Sequence, residues 1–460
     1  MKPSIYRSKT RYEDLELYQR MIECFASAAL VQGKYLDLMN FSKGEFKQVI
    51  DPKIVEKIFQ PEHGYTSPDG SLELSMLIKE LEKLRLIKNT GLSTKQADKI
   101  ISPLACGLGN GVTGVIAGIF WSLDKIRDKK KNEVITFRPS YPVFESLAKQ
   151  NNFIVKPVLT KRENNFLPSF EEIKKNSNSK TAAIVIVYPN NPSFTTFTDK
   201  HELKQIANFC QKNRIFLIID NIYQEMMFNG KKHIEIFSLV DKPDYIIKLF
   251  GPSKDRPFFT GHRLGYYIGD SKIGEAYFDY CASNFICLGT FQKNIFSLDL
   301  LFRILLYKNS KDLKQDDVKL LMPFLRGWMQ NINTKEIIAR INKSKAFQKY
   351  KIAVDYNNNK LKSNLSELKK IVEKSLIFDD VINETSGNAI FARINPKYYS
   401  GNDLSFYDDV LAKRKIALYP GNIFGMPIKK DSLWFRFTII HTSKKEIIKM
   451  LKELESMLIK

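Results

Sequence analysis

Ala182-Ala183-Ile184-Val185-Ile186-Val187-Tyr188 is an unbroken apolar run that ends in Pro189-Asn190-Asn191-Pro192-Ser193. Apolar residues at every position suit a strand covered on both faces, and such strands belong to parallel sheets with helices above and below. Downstream, a helical stretch from His201 to Lys212 leads to a second run, Ile215 to Ile219, which ends at Asp220. A third, Tyr245 to Phe250, runs into Gly251-Pro252-Ser253-Lys254-Asp255. Upstream, Gly109-Asn110-Gly111-Val112-Thr113-Gly114 opens a helix over Val115 to Leu123. Glu133 to Phe137 reads as a short strand before Arg138-Pro139-Ser140-Tyr141-Pro142, Phe144 to Gln150 as a helix and Ile154 to Val158 as a strand. The alternation predicts an α/β fold: a mostly parallel central sheet sandwiched by helices.

Outside this region the pattern changes. Residues 11 to 32 carry Leu15, Tyr18, Ile22 and Phe25 at helical spacing, and Ser71 opens a helix with the stripe Leu74, Leu77, Ile78, Leu81 and Leu84. Residues 291 to 376 read as helices, clearest over Leu300 to Tyr307 and Lys335 to Lys374. Strand signals return at Ala389 to Ile394, Ile416 to Tyr419 and Leu433 to Ile440, and Lys444 to Leu458 is a last helix. The expected division is an N-terminal segment (1–64) joining a small α+β domain (311–460), with a large α/β domain (65–310) between them.

The chain has 460 residues, 43% hydrophobic and 27% charged, which fits a globular protein of two or three domains. Its formal charge is +22. The lysines alternate with acids, as in Ile78-Lys79-Glu80-Leu81-Glu82-Lys83-Leu84, which reads as a solvated helix face and not as a nucleic-acid surface. The tight run Arg127-Asp128-Lys129-Lys130-Lys131 falls between a helix and a strand and reads as a loop. Gly107 to Leu123 is too rich in glycine to span a bilayer and reads as a loop followed by a buried helix, and Met1 to Asp14 lacks an apolar leader core. Cys24, Cys106, Cys210, Cys281 and Cys287 have no metal-ligand spacing and read as free thiols of a reducing, cytoplasmic compartment. The five histidines offer no metal site.

In parallel sheets, ligands bind at the carboxyl ends of the strands. Asn191, Asp220 and Lys254 fall there. Singly, each has a plain reading: a turn, a helix N-cap and a surface lysine. Together they point to one site. A lysine amine forms a Schiff base with an aldehyde, and a carboxylate keeps a pyridine nitrogen protonated, so Lys254 and Asp220 suit a pyridine-aldehyde cofactor. Tyr223 and the Asn191 amide can donate to the ring oxygen, and Tyr141 can stack on the ring. Gly111-Val112-Thr113 at a helix start offers N–H groups to a phosphate, with Ser253 and Arg263 closing the cradle.

These residues resemble the class I/II aminotransferases, fold type I enzymes that use pyridoxal 5'-phosphate. The resemblance runs from about Tyr65 to Arg436. Tyr65 with Gly70 resembles the motif whose tyrosine reaches the partner subunit's phosphate, which implies a homodimer. Gly111-Val112-Thr113 resembles the phosphate loop and Pro139-Ser140-Tyr141-Pro142 the ring-stacking turn. Pro189-Asn190-Asn191-Pro192 resembles the Asn-Pro-x-Asn-Pro motif, with Asn191 as its functional amide. Asp220 and Tyr223 fit the Asp-x-x-Tyr of the ring contacts. Ser253-Lys254 and Gly261-His262-Arg263-Leu264-Gly265 resemble the Schiff-base lysine and the phosphate arginine. Tyr419-Pro420-Gly421-Asn422-Ile423-Phe424-Gly425 and Phe435-Arg436-Phe437 resemble the closing motif and the arginine that grips the substrate α-carboxylate.

Four positions depart from the family pattern. Tyr188 replaces the first Asn of its motif, Ser193-Phe194 the usual Thr-Gly, and Gly251 a serine; Lys254 and Arg263 stand one residue further apart than usual. The Tyr188 to Thr196 turn and the Arg256-Pro257-Phe258-Phe259 loop face the substrate in this family. Phe194, Phe258 and Phe259 either shape an apolar pocket or pack. His262, beside Arg263, is a packing residue on this reading. The resemblance implies transamination between an α-amino acid and a 2-oxo acid. The same scaffold hosts lyases, decarboxylases and oxidases of amino acids, and non-catalytic ligand-sensing relatives.

Overall fold

The computed structural model describes residues 16–34, 39–40, 67–70, 72–228, 230–256, 259–319, 334–343, 345–382, 386–429, 432–440 and 442–459. Tyr65, Ser71 and Phe258 lie outside the described residues.

A short strand, β1 (Met39–Asn40), comes first. The large sheet has seven strands: β2 (Ala105–Asn110), β3 (Glu133–Arg138), β4 (Ile154–Leu159), β5 (Thr181–Val187), β6 (Phe216–Asp220), β7 (Ile246–Phe250) and β8 (Leu264–Gly269). Their spatial order is β2-β8-β7-β6-β5-β3-β4. Strands β3 to β7 pair in parallel, while β8 runs antiparallel to both its neighbours, β2 and β7. The start of β8 therefore lies at the same sheet edge as the ends of the others. The glycine-rich β2, expected as a loop, is a full strand.

Alternate residues of the central strands enter two different cores, which is why the runs are apolar throughout. Val185, Val187, Ile218 and Leu249 pack with the helices Gly111–Ile126, Val143–Gln150 and Gly274–Phe285. Ile184, Ile186, Ile219 and Phe250 pack with the helices Leu72–Thr90, Lys200–Lys212 and Thr290–Tyr307. The Leu72–Thr90 helix is not a purely solvated face. Glu82 and Arg85 are each 1% exposed and look inward.

The second sheet is antiparallel, in the order β12-β13-β10-β9, from β9 (Phe378–Ile382), β10 (Ala389–Ile394), β12 (Tyr419–Pro420) and β13 (Trp434–Thr438). The second half of the Ala346–Lys374 helix covers it, with the helices Asp403–Arg414 and Lys444–Leu458. β11 (Ile416–Ala417) pairs in parallel with β1. The Leu17–Lys34 helix ties the two regions together. Its Cys24 carbonyl accepts the Tyr407 hydroxyl at 2.8 Å and its Arg20 donates to Asn422 at 2.9 Å, while Glu16 just ahead of it accepts from Lys149 of the large region at 2.8 Å.

Charged side chains are buried beneath the large sheet. Lys248 of β7, fully buried, bonds Glu82 at 2.7 Å and Glu235 at 3.0 Å. Against its burial, Lys248 and Arg85 hold the Glu82 carboxyl down to about 2. Nearby, the Arg303 guanidinium grips both oxygens of Asp255 at 2.6 and 2.9 Å and bonds Asp299 at 2.7 Å. Tyr350 donates to Asp299 at 2.5 Å and accepts from Arg256 at 2.7 Å. Removing one partner of such a set leaves the others charged and dry. Arg303→Ala is expected to destabilise the fold by about 3–5 kcal/mol, read as a drop in the urea midpoint. A loss below about 1 kcal/mol would contradict this account.

Candidate active site

The site forms where the strand ends converge. β6 delivers Asp220 beside Val187 of β5 and Leu249 of β7. One Asp220 oxygen accepts the Ile222 N–H at 3.0 Å, a turn that holds the carboxylate toward the cavity. Asp220 is 3% exposed. Burial pushes its carboxyl up to about 7, against the pull of that N–H and of the Lys254 ammonium. β7 delivers Ser253 and the half-buried Lys254 in a turn closed by the Arg256 N–H on the Pro252 carbonyl at 3.2 Å. The Thr260 hydroxyl pins the Ser253 carbonyl at 2.9 Å.

Asn191 and Arg436 arrive from different sheets. Arg436 stands in β13 opposite Tyr419 of β12, and its Nη1 donates to Asn191 Oδ1 at 2.7 Å. Burial lowers the guanidinium's pKa, with the Tyr223 and Tyr419 hydroxyls pulling the other way. Tyr223 is buried, and that burial raises its hydroxyl above the usual phenol range. Burial also pushes the Tyr141 hydroxyl up to about 12. The turn carrying Tyr141 is fastened to the closing motif through the Ser140 N–H on the Phe424 carbonyl at 2.9 Å.

One cavity takes in Lys254, Asp220, Tyr223, Tyr141, Asn191 and Arg436. Val112, Thr113, Ser253 and Arg263 line it as well. Of the residues expected from the sequence, Gly111 is not part of the lining, although its neighbour Val112 is, and Tyr65 lies outside the described residues. The cavity also takes in residues that sequence reasoning did not single out: Met21 and Phe25 from the first helix, with Ile116 and Ile222. Tyr419 and Phe424 had appeared only as part of a motif. Phe25 carried no signal beyond a helical stripe; its Tyr18 and Phe25 do pack inward, but Ile22 is 43% exposed and Met21, which the stripe left out, is buried in its place.

The departures have structural reasons. Tyr188 points into the core on the far side of the sheet, where its ring stacks on His233 at 4.5 Å and its hydroxyl accepts the Ile234 N–H at 3.1 Å. Phe194 and Phe259 are packing residues, the former edge-on to Tyr223 at 5.0 Å. Gly251 fits because a Cβ there would meet the Leu264 carbonyl and Val112 Cγ2, each at 2.8 Å. His262 packs against Phe259 at 5.8 Å between ring centres.

The residues fit the cofactor that the resemblance implies. Gly111 has φ +71°, and a Cβ on it would strike the Arg263 guanidinium, so only glycine leaves a cradle between helix start and cation. The Gly111–Ile126 helix has no side-chain cap from Asn110, which leaves its first N–H groups to receive a phosphate. At the other end of the cavity, the buried Asp220 suits a cationic ring nitrogen.

Known proteins agree with this picture. The profile of the family described as "Aminotransferase class I and II" matches residues 33–454. An aspartate aminotransferase of Bacillus subtilis is 34% identical over 168 residues, 36% of this chain and 41% of that protein. An asparagine–oxo-acid transaminase of Streptococcus mutans is 29% identical over the same shares of each chain. The chain thus spans about two fifths of the length of these curated relatives. The crystal structure of an aspartate aminotransferase from Thermotoga maritima superposes with a TM-score of 0.68 at 20% identity, covering 95% of this chain and 96% of that one. An aromatic aminotransferase from Pyrococcus horikoshii gives 0.67 at 20% identity, covering 94% and 98%. These two likenesses establish the fold.

Proposed function

Because this chain belongs to the class I and II aminotransferases, we propose that it is a pyridoxal 5'-phosphate-dependent aminotransferase that moves an amino group between an α-amino acid and a 2-oxo acid. The observation that carries this reading is the meeting of Lys254, Asp220, Arg263 and the Asn191–Arg436 pair around one cavity. Val112, Thr113, Ser253 and Arg263 would hold the cofactor phosphate, Tyr141 would stack on its ring, and Asp220, Tyr223 and Asn191 would hold the ring's polar atoms. When bound, the cofactor supplies an electron-accepting ring that stabilises negative charge at the substrate Cα.

Lys254 Nζ takes the proton from the substrate Cα and later returns it, so it acts first as base and then as acid. Asp220 would pair with the cofactor's ring nitrogen and hold it in position. Arg436 grips the α-carboxylate with parallel hydrogen bonds, which orients Cα toward Lys254. Asn191 accepts from Arg436 and so keeps its own NH2 for donation. Tyr419 and Phe424 line the pocket and are themselves buried, so its wall on that side is apolar.

We place the active form as a homodimer in the cytoplasm, with Tyr65 reaching the partner's phosphate. The described cysteines are free, which suits a reducing compartment, and no described helix is long and apolar enough to cross a membrane.

The test is nitrogen transfer. With an α-amino acid labelled in its amino group and an unlabelled 2-oxo acid, the label is expected in the new amino acid. Released ammonia, carbon dioxide or an eliminated fragment without transfer would overturn transamination in favour of a lyase, decarboxylase or oxidase. Arg436→Leu is expected to lower kcat/KM by about 10²-fold, mainly through KM, while the chain stays yellow with bound cofactor. An unchanged KM would remove Arg436 from the carboxylate.

A further inference from the structure

We infer that the substrate side chain is apolar, an aromatic or large aliphatic group, and that Phe25 selects it. The inference rests on the aminotransferase reading, because Arg436 then fixes where the α-carboxylate sits. The walls around that point are aromatic. The Arg436 guanidinium carbon lies 4.7 Å from the centre of the Tyr419 ring and 5.1 Å from that of Phe424. Phe25 stands edge-on to Tyr419 with ring centres 5.1 Å apart, and Met21 lines the same cavity one turn earlier on the helix. A substituent on the carbon next to the gripped carboxylate meets this set.

The cations around the cavity have other work. Lys254 handles the proton, Arg263 the phosphate and Arg436 the α-carboxylate. The next cation, Arg20, donates to Asn422 Oδ1 at 2.9 Å and faces a neighbouring cavity. In that second cavity Arg138 pairs with Glu145, and Lys149 with Glu16 at 2.8 Å. A side-chain carboxylate entering beside Phe25 would therefore lose its water, and the lining this chain's described residues give the cavity offers it no fourth cation. A benzyl or isobutyl group would gain aromatic contacts there.

The relatives named above for aspartate and asparagine act on polar side chains, so this reading separates the present chain from them. Phe25 is half-buried and belongs to the helix that joins the two regions, which places the selecting ring on a rigid element.

The experiment compares two carboxylates that cannot react, 3-phenylpropionate and succinate, binding to the cofactor-loaded full chain by calorimetry. 3-Phenylpropionate is expected to bind at least about tenfold more tightly. Phe25→Arg is expected to strengthen succinate binding by at least about tenfold and to weaken 3-phenylpropionate. Equal or tighter binding of succinate by the natural chain would overturn the inference, as would binding of neither compound or a Phe25→Arg variant that leaves the order unchanged. Failure of the underlying aminotransferase reading shows separately, as a chain that stays colourless with pyridoxal 5'-phosphate. In that case the same two titrations are run on the full chain without cofactor, and the preference is decided there by the same criteria.

Discussion

Lys254→Ala is expected to lower turnover by roughly 10³–10⁶-fold while leaving the fold intact. The residue sits half-buried in a turn, and its aliphatic stem is no part of either main core. Truncation therefore creates little cavity, and the melting temperature is expected to stay within a few degrees. The phosphate cradle of Val112, Thr113, Ser253 and Arg263 is untouched, so the cofactor still binds, although borohydride no longer fixes it to the chain. A small primary amine added to the variant is expected to restore part of the rate, because the missing group is a proton carrier. Turnover within tenfold of the natural chain would mean that another base does this work.

Asp220→Asn is expected to have two effects of opposite sign. Without a carboxylate to keep the ring nitrogen protonated, kcat/KM falls by roughly 10²–10³-fold. The cofactor-free chain, by contrast, becomes more stable in neutral and basic solution. Burial raises the folded-state pKa of Asp220 from 3.8 to about 7. Below about pH 4 this carboxyl is neutral in both states. As pH rises toward 7 the unfolded chain ionises first, so the folded state loses stability across that window, by roughly 2–4 kcal/mol at completion. The amide of the variant has no such proton to lose, and the pH slope due to this position disappears. Urea midpoints of the cofactor-free proteins at pH 5 and pH 8 decide it. A variant no more stable than the natural chain at pH 8 would show that the carboxylate is comfortable in its ionised form.

Much of the site was legible because it hangs on strands that announce themselves. Ala182 to Tyr188, Ile215 to Ile219 and Tyr245 to Phe250 are apolar at nearly every position, which only two-sided burial explains. Their polar terminators, Asn191, Asp220 and Lys254, were thereby placed at one edge. β2 was not legible. Its Ala105-Cys106-Gly107-Leu108-Gly109-Asn110 lacks β-branched residues, because the Tyr277 ring takes the space where a Gly107 side chain would stand, at 2.7 Å. Glu82 and Arg85 were unreadable for a different reason. Charges spaced three apart look alike whether their partners are water or, as here, Lys248, Tyr266 and Glu225 from distant parts of the chain. The aromatic wall beside Arg436 was hidden because Phe25 and Phe424 are almost 400 residues apart in the chain.

The clamp on Asp255 bears on how Lys254 moves. The residue before Lys254 is pinned through its carbonyl by Thr260, and the residue after it is locked by a two-pronged guanidinium. The main chain at the lysine is thus anchored from both sides, and the four methylenes of its own side chain are left as the swing arm. In the proposed role of Lys254, proton delivery then becomes a matter of rotating a tethered arm about single bonds on an anchored pivot. For that role, the backbone at the lysine is set before a substrate arrives.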